Sequence, residues 1–542
     1  MTGGAPTSAA PAAGVTGSRA GRSTVYAPHG VVATSQPLAT GAALKVLHDG
    51  GTAVDAAVVA AAVLSVVEPH MTGPGGDLFA QVWSPSEGRL SGLDASGRAG
   101  ERMTAERVRA NGWTTAPTLG AGSVTVPGAL SGWAALLERH GTLSLADALA
   151  PAIRIAEEGF PVTPVIARQW AAAAAKLSLD TGARATFLVD AYRAPRAGEW
   201  FRNPDLAASL SAIADGGIGV LYGGELGARI VDGVRALGGY LELGDFVRHR
   251  PDWVEPIGLD YKGVTLWEIP PAGQGIAALQ MLGMAEGLDL KALGRNTAAY
   301  LHALVELKKL AFADVAGYVG DRDAMRATVG QLLDRGYLAR RAAELDAGRA
   351  AELPEPGLLA TTGDTVYLAA ADRHGTMVSL INSVFEHFGS GVVVPGTGFA
   401  LQNRGAGFDL ADGHPNQVAP GKRPRHTIIP AFVTKDGAPW IAFGVMGGPM
   451  QPQGHVQVLL NLVEWGMDPQ AAVDAARFRH LAGTQLAVET IDAATRAELE
   501  ALGHEIVEWT ATDFGGAQMV MKLDRGWAAA SDPRKDGMAA GH

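Results

Sequence analysis

Between Pro354 and Asp372 the chain passes from a loose Pro354-Glu355-Pro356-Gly357 connector into an unbroken apolar run, Thr365 to Ala371, headed by Gly363-Asp364. Such a run suits a central strand, so the connector delivers Thr365 to the start of a buried strand. A cut between Asp364 and Thr365 would give the threonine a free α-amino group beside its own hydroxyl. One residue would then supply both nucleophile and general base. Thr365 is therefore the candidate catalytic residue and Asp364–Thr365 the candidate cleavage site. Threonine also heads strands simply because β-branched side chains fit a pleated surface, so the tripeptide alone does not decide between the two readings.

Composition narrows the class. A chain of 542 residues exceeds what one small core serves, which predicts a large bilobed body or two interlocked pieces. Hydrophobic residues at 47% and charged residues at 18% are those of a globular protein. The net charge of -11 is spread along the chain without a dense Lys/Arg tract, which argues against a nucleic-acid partner. With no cysteine there is no disulfide, thiolate ligand or cysteine nucleophile. Residues 1–24 lack the apolar core of a secretory signal and read as a disordered leader on a cytoplasmic protein. The longest apolar stretch, Ala53 to Val67, is short for a bilayer and contains Asp55, so it reads as a buried helix and no membrane partner is expected.

The first two thirds is helix-rich. Ser131 to His140, Leu145 to Glu158 and Asn296 to Val315 show helical spacing; Gly73-Pro74-Gly75-Gly76-Asp77 is a tight turn before a strand, Leu78 to Trp83. Residues 341–362 lose that order and read as an exposed connector. After Thr365 the texture is β. Asp372-Arg373-His374-Gly375 turns the chain back through a partner strand, Met377 to Phe385. A strand from Ala438 to Val445 runs into Met446-Gly447-Gly448-Pro449, and Val456 to Glu464 is a helix.

Gly447-Gly448 after a strand can present two backbone N–H groups with no Cβ in the way, as an oxyanion hole requires, or can be a plain turn. Ser383, on the partner strand, can hydrogen-bond Thr365 or be an ordinary strand serine. His455 reads as a structural helix residue, no His/Asp/Glu spacing matches a zinc site, and Gly73-Pro74-Gly75-Gly76 lacks the Lys-Ser/Thr ending of a phosphate loop. Neither metal nor cofactor is implied.

Several segments in a fixed order carry a resemblance. They are Gly50-Gly51-Thr52-Ala53-Val54-Asp55-Ala56-Ala57 with Val66-Val67-Glu68-Pro69, Val126-Pro127-Gly128-Ala129, and Pro151-Ala152-Ile153 with Gly159-Phe160-Pro161-Val162. Phe388-Gly389-Ser390-Gly391, Pro395-Gly396-Thr397-Gly398, Ala419-Pro420-Gly421-Lys422-Arg423 and Gly447-Gly448 follow. From about Val31 to Asp532 the chain resembles the gamma-glutamyltransferase family of N-terminal nucleophile hydrolases. The resemblance implies an α+β fold, an αββα sandwich, and autocatalytic cleavage into a large subunit, 25–364, and a small one, 365–542, that stay associated; a homodimer of that pair is compatible with it. Thr361-Thr362 mimics the Thr-Thr-His that opens many small subunits, but counting back from the Asp372 turn sets the nucleophile at Thr365. By the same alignment Ser383 falls on the family's second threonine, and Gly447 and Gly448 fall on its oxyanion-hole glycines.

The acyl-binding positions depart from the pattern. The family's ammonium-binding aspartate is Gly407 here, its acidic neighbour is Arg404, its strand asparagine is Phe385 and its serine pair is His426-Thr427. Its carboxylate-clamping arginine aligns with Ser96, with Arg98 two residues on. Loss of the ammonium partner beside Arg404, Arg425 and Arg98 favours an anionic amide substrate that needs no α-amino group, unless these arginines form surface or subunit ion pairs. The expected activity is amide cleavage through an acyl-threonine, with water or an amine as acceptor. γ-Glutamyl transfer or glutathione hydrolysis stands against hydrolysis of small anionic amides such as oxamate, a branch with a similar Gly-Asp-Thr start and Gln-Asn-Arg-Gly segment. A catalytically inactive binding protein on the same fold is the rival from another class.

Overall fold

The computed structural model describes residues 21–352 and, with the backbone alone for Gly363 and Asp364, residues 363–542. The Pro354–Gly357 connector, Thr361, Thr362 and the first twenty residues of the expected leader lie outside the described residues. The last part of that leader is tied to the body: Arg22 donates to the Gly537 carbonyl at 2.5 Å and Thr24 to Asp468 at 2.6 Å.

Two seven-stranded sheets form the centre. One runs in the order Met538–Gly541, Val31–Thr34, Gly363–Ala371, Met377–Glu386, Asp77–Ser84, Arg89–Ala95, Asp252–Val254. The other runs Val25–Ala27, Trp527–Ser531, Gly516–Lys522, Ala438–Met446, Ala431–Lys435, Val264–Glu268, Ile257–Tyr261. Alternation along each strand divides the apolar residues among three cores. Val366, Leu368 and Ala370 face the helix Ala53–Val67, whereas Tyr367, Ala369 and Ala371 meet Phe432 and Ala442 of the opposite sheet. Ile441, Phe443 and Val445 turn outward to the helices Gly275–Ala285, Ala298–Tyr318 and Met450–Val463. Helix, sheet, sheet, helix is the αββα sandwich expected from the sequence. Both sheets mix strands from either side of residue 365, so a chain cut there would remain one cooperatively packed body.

The Ala53–Val67 helix begins where expected. Thr52 and Asp55 form a reciprocal capping box, and the Asp372 carboxylate accepts the Ala53 N–H at 2.8 Å. The same carboxylate takes the His374 and Thr376 N–H groups, with Gly375 at φ +93°. One aspartate thus fixes the hairpin after Thr365 and the start of the most buried helix.

Two elements differ from expectation. The last helix of the site starts at Met450 rather than Val456. Pro452 sits in its first turn, where a missing N–H costs nothing, and Gly454 lets it lie against the Ala438–Met446 strand, since a Cβ there would meet Val445 at 2.6 Å. The long helix Ala298–Tyr318 runs three residues past its expected end. Among the described residues no helix is long and apolar enough to cross a membrane.

Candidate active site

Thr365 is fully buried at the inter-sheet end of its strand. The pairing register breaks here: Asp364 faces Phe385 and Val366 faces Asn382, which leaves Thr365 opposite both Ser383 and Val384. This is a β-bulge, a device that re-aims side chains locally. Ser383 stitches it by accepting the Phe385 N–H at 2.8 Å, and Phe385 takes φ +82°. The glycines of the Gly73-Pro74-Gly75-Gly76 turn fit beneath it. A Cβ on Gly76 would meet the Ser383 carbonyl at 2.5 Å, and one on Gly75 the Ala400 carbonyl at 2.2 Å.

The Thr365 hydroxyl donates to Ser383 Oγ at 3.2 Å and accepts from Gln451 Nε2 at 3.4 Å. Gln451 is itself fixed by the Ile429 N–H, 3.0 Å from its side-chain oxygen. Sequence reasoning missed Gln451 because the helix that carries it was placed too far along the chain. Gly447 and Gly448 join the Ala438–Met446 strand to this helix at φ +125° and +58°. The Gly447 carbonyl accepts from Met450, so the Gly448 N–H, on the far side of the same trans peptide, points away from the helix. Gln274 holds the Gly448 carbonyl at 2.9 Å and the Thr427 carbonyl at 2.7 Å, tying the glycine turn to the segment carrying His426 and Thr427.

Arg404, Phe385, His426 and Thr427 come together; Arg425 and Arg98 go elsewhere. Arg404 is 1% exposed, donates from Nη1 to Thr427 Oγ1 at 2.9 Å and lies 4.6 Å over the Phe385 ring. Its Nε and Nη2 have no hydrogen-bond partner among the described residues. His426 is fully buried against Phe79, with neither ring nitrogen hydrogen-bonded among the described residues. Burial, then the charges of Arg404 and Arg423, hold it neutral, well below the ordinary imidazole value. A further residue, which the sequence shows only as the end of a glycine turn, joins them. Asp77 places Oδ2 3.8 Å from Arg404 Nε and 3.7 Å from His426 Nε2. Gly407 leaves no room for a side chain, because a Cβ would meet the Arg425 carbonyl at 2.6 Å.

Arg425 is half-buried, reaches the Val315 carbonyl at 3.5 Å and is faced by Asp409. Arg98 lies in an ion-pair network, 3.4 Å from Asp252 and 3.5 Å from Asp321, and donates to the Gly421 carbonyl. Ser96 is buried with its hydroxyl on Asp94 at 2.6 Å. His455 pairs with Glu268 at 2.7 Å beneath the second sheet, the structural role expected of it. Away from Thr365, His302, Glu306 and His504 converge closely enough to hold a metal ion. The imidazoles hydrogen-bond one another at 2.9 Å, and Glu306 holds Lys309 at 2.8 Å.

The arrangement therefore offers a buried hydroxyl at a strand bulge, two small polar neighbours, an N–H aimed away from a helix start and a cationic recess. The gamma-glutamyltranspeptidase family profile matches residues 39–542. The oxamate amidohydrolase proenzyme of Klebsiella pneumoniae is 36% identical over 95% of this chain and 98% of its own length. The glutathione hydrolase-like YwrD proenzyme of Bacillus subtilis is 35% identical over 94% of this chain and 98% of its own. The crystal structure of cephalosporin acylase from Bacillus halodurans superposes with a TM-score of 0.91 at 44% identity, covering 98% of this chain and 99% of that one.

Proposed function

Because the chain belongs to the gamma-glutamyltranspeptidase family, whose members here are self-processing amide-cleaving enzymes, we propose that Thr365 is its nucleophile and that the recess beside it selects an anionic acyl group. In the precursor, Thr365 Oγ attacks the Asp364 carbonyl carbon. The peptide C–N bond breaks as its nitrogen takes the hydroxyl proton, and water hydrolyses the resulting ester, which leaves fragments 1–364 and 365–542. In the mature enzyme the freed α-amine accepts the hydroxyl proton while Oγ attacks the substrate amide. Ser383 and Gln451 orient Oγ, and the Gly447-Gly448 turn supplies N–H groups to the oxyanion. The leaving amine departs with the proton and an acyl-threonine ester remains; water completes hydrolysis, an acceptor amine completes transfer.

The observation that carries the acyl preference is Arg404, a fully buried guanidinium with two nitrogens unpartnered. Burying an open cation costs several kcal/mol, and a substrate carboxylate removes that cost through charge-assisted bonds. An α-ammonium in the same recess gains no such partner at Gly407. The relative named an oxamate amidohydrolase points the same way, while the glutathione hydrolase-like relative keeps γ-glutamyl substrates as the second reading. The test is a side-by-side steady-state panel of glutathione, γ-glutamyl anilide, oxamate and dicarboxylic monoamides. Anionic amides without an α-amino group are expected to lead. Strong preference for glutathione with no turnover of the others would overturn the acyl assignment and leave the nucleophile untouched.

A further inference from the structure

Asp77 is the acid in this recess that neither processing nor turnover uses. It opens the strand Asp77–Ser84, is fully buried, and its Oδ1 accepts the Gly97 N–H at 2.8 Å. Among the described residues Oδ2 has no hydrogen-bond partner, and neither has the Arg404 Nε or the His426 Nε2 that it faces at 3.8 and 3.7 Å. Three fully buried polar groups thus surround one point without bonding one another. With His426 neutral, an ionised Asp77 balances Arg404, whereas a protonated Asp77 leaves the guanidinium charge open to a ligand.

We propose that Asp77 is a specificity-determining residue, and that whether it carries a proton decides whether the recess accepts an anionic acyl group; this rests on the reading of Arg404 above. With Asp77 neutral, Arg404 carries one unbalanced positive charge and a substrate carboxylate neutralises it. With Asp77 ionised, the recess is already balanced and an incoming carboxylate meets a like charge. The groups that face Asp77 permit both states near neutrality. Burial raises its carboxyl to about 7, against the pull of Arg404 and the Gly97 N–H, with a push from Asp94 on the adjoining strand. Tyr222, across from it, is pushed up by burial and stays protonated, and His426 stays neutral. Arg404 remains charged, lowered by burial only to about 10.

The sign follows. Asp77 is raised above the ordinary aspartate value, so its neutral form prevails below about pH 7, and the preference for anionic amides is complete there and declines as the pH rises. The experiment measures kcat/KM for a dicarboxylic monoamide and for a neutral amide of the same length between about pH 5.5 and 9, and takes their ratio. The Thr365 amine titrates in both and cancels. The wild-type ratio is expected to fall by up to about tenfold per pH unit above neutrality. Asp77→Asn should hold the ratio high and level across the range. A level wild-type ratio, or an Asp77→Asn ratio that still falls, overturns the proposal. Should Asp77→Asn fail to mature, the wild-type profile decides alone. If removal of Arg404 leaves the anionic preference intact at every pH, the acyl reading itself is at fault; if Arg404 is required but the ratio is level, only the role of Asp77 is.

Discussion

Thr365→Ala is expected to migrate as a single chain on a denaturing gel and to turn over no amide. The expected loss is about six orders of magnitude, the scale for removing a nucleophile that acts as a unit with its base. In the mechanism proposed for this protein the two are one residue, because the amine would exist only after the hydroxyl had cut the chain. No neighbour can substitute. Ser383 Oγ is held on the Phe385 N–H, and Gln451 offers an amide, a poor nucleophile. Thr365→Ser should still mature, more slowly, because it keeps the hydroxyl and loses the methyl that restricts its rotamer. Normal turnover by the alanine variant would remove Thr365 from the mechanism.

Arg404→Ala is expected to weaken anionic amides by about 2 to 4 kcal/mol in kcat/KM, roughly 30- to 1000-fold, with neutral amides changed much less. The magnitude follows from the full burial of the guanidinium, where bulk solvent does not screen it. Arg404→Lys should recover part of the loss. It keeps the charge but not the planar fork that reaches Thr427 Oγ1 and stacks over Phe385. Equal losses for anionic and neutral amides would mean that Arg404 only supports the fold. The gel and the kinetics separate these cases, because a variant with a collapsed recess would also mature poorly.

The layering was legible from the chain because burial on both faces leaves a strong trace: the apolar run after Thr365 and the small-residue run from Ala53 to Val67 each read as one element, and each is one. The Asp372 turn was legible for a local reason, since an aspartate followed by a glycine three residues later closes a turn whatever surrounds it. Gln451 was not legible. Pro452 and Gly454 look like helix breakers in a linear reading, and only their places, in a first turn and against Val445, make them harmless. Asp77 was hidden likewise, as the end of a glycine turn, because nothing in its neighbours along the chain shows that Arg404 and His426 come to face it from far ahead.

The three arginines show the same limit most clearly. Arg98, Arg404 and Arg425 are equivalent as sequence, each a cation near a position that the family resemblance implies is acyl-binding. Folding separates them by what they meet. Arg98 finds Asp252 and Asp321 at a half-open surface, Arg425 finds the Val315 carbonyl, and Arg404 alone of the three is fully buried with nitrogens to spare. Charge counts along a chain carry no information about such partners, which come from segments hundreds of residues away.

Everything proposed for the mechanism depends on where the chain is cut. Amino-terminal sequencing of the smaller fragment of the purified protein is the direct measurement. The account predicts a fragment that begins Thr-Val-Tyr-Leu-Ala, from Thr365, with the larger fragment ending at Asp364. A fragment that begins at Thr361, or a chain that stays whole under every condition while amides are still cleaved, would contradict it.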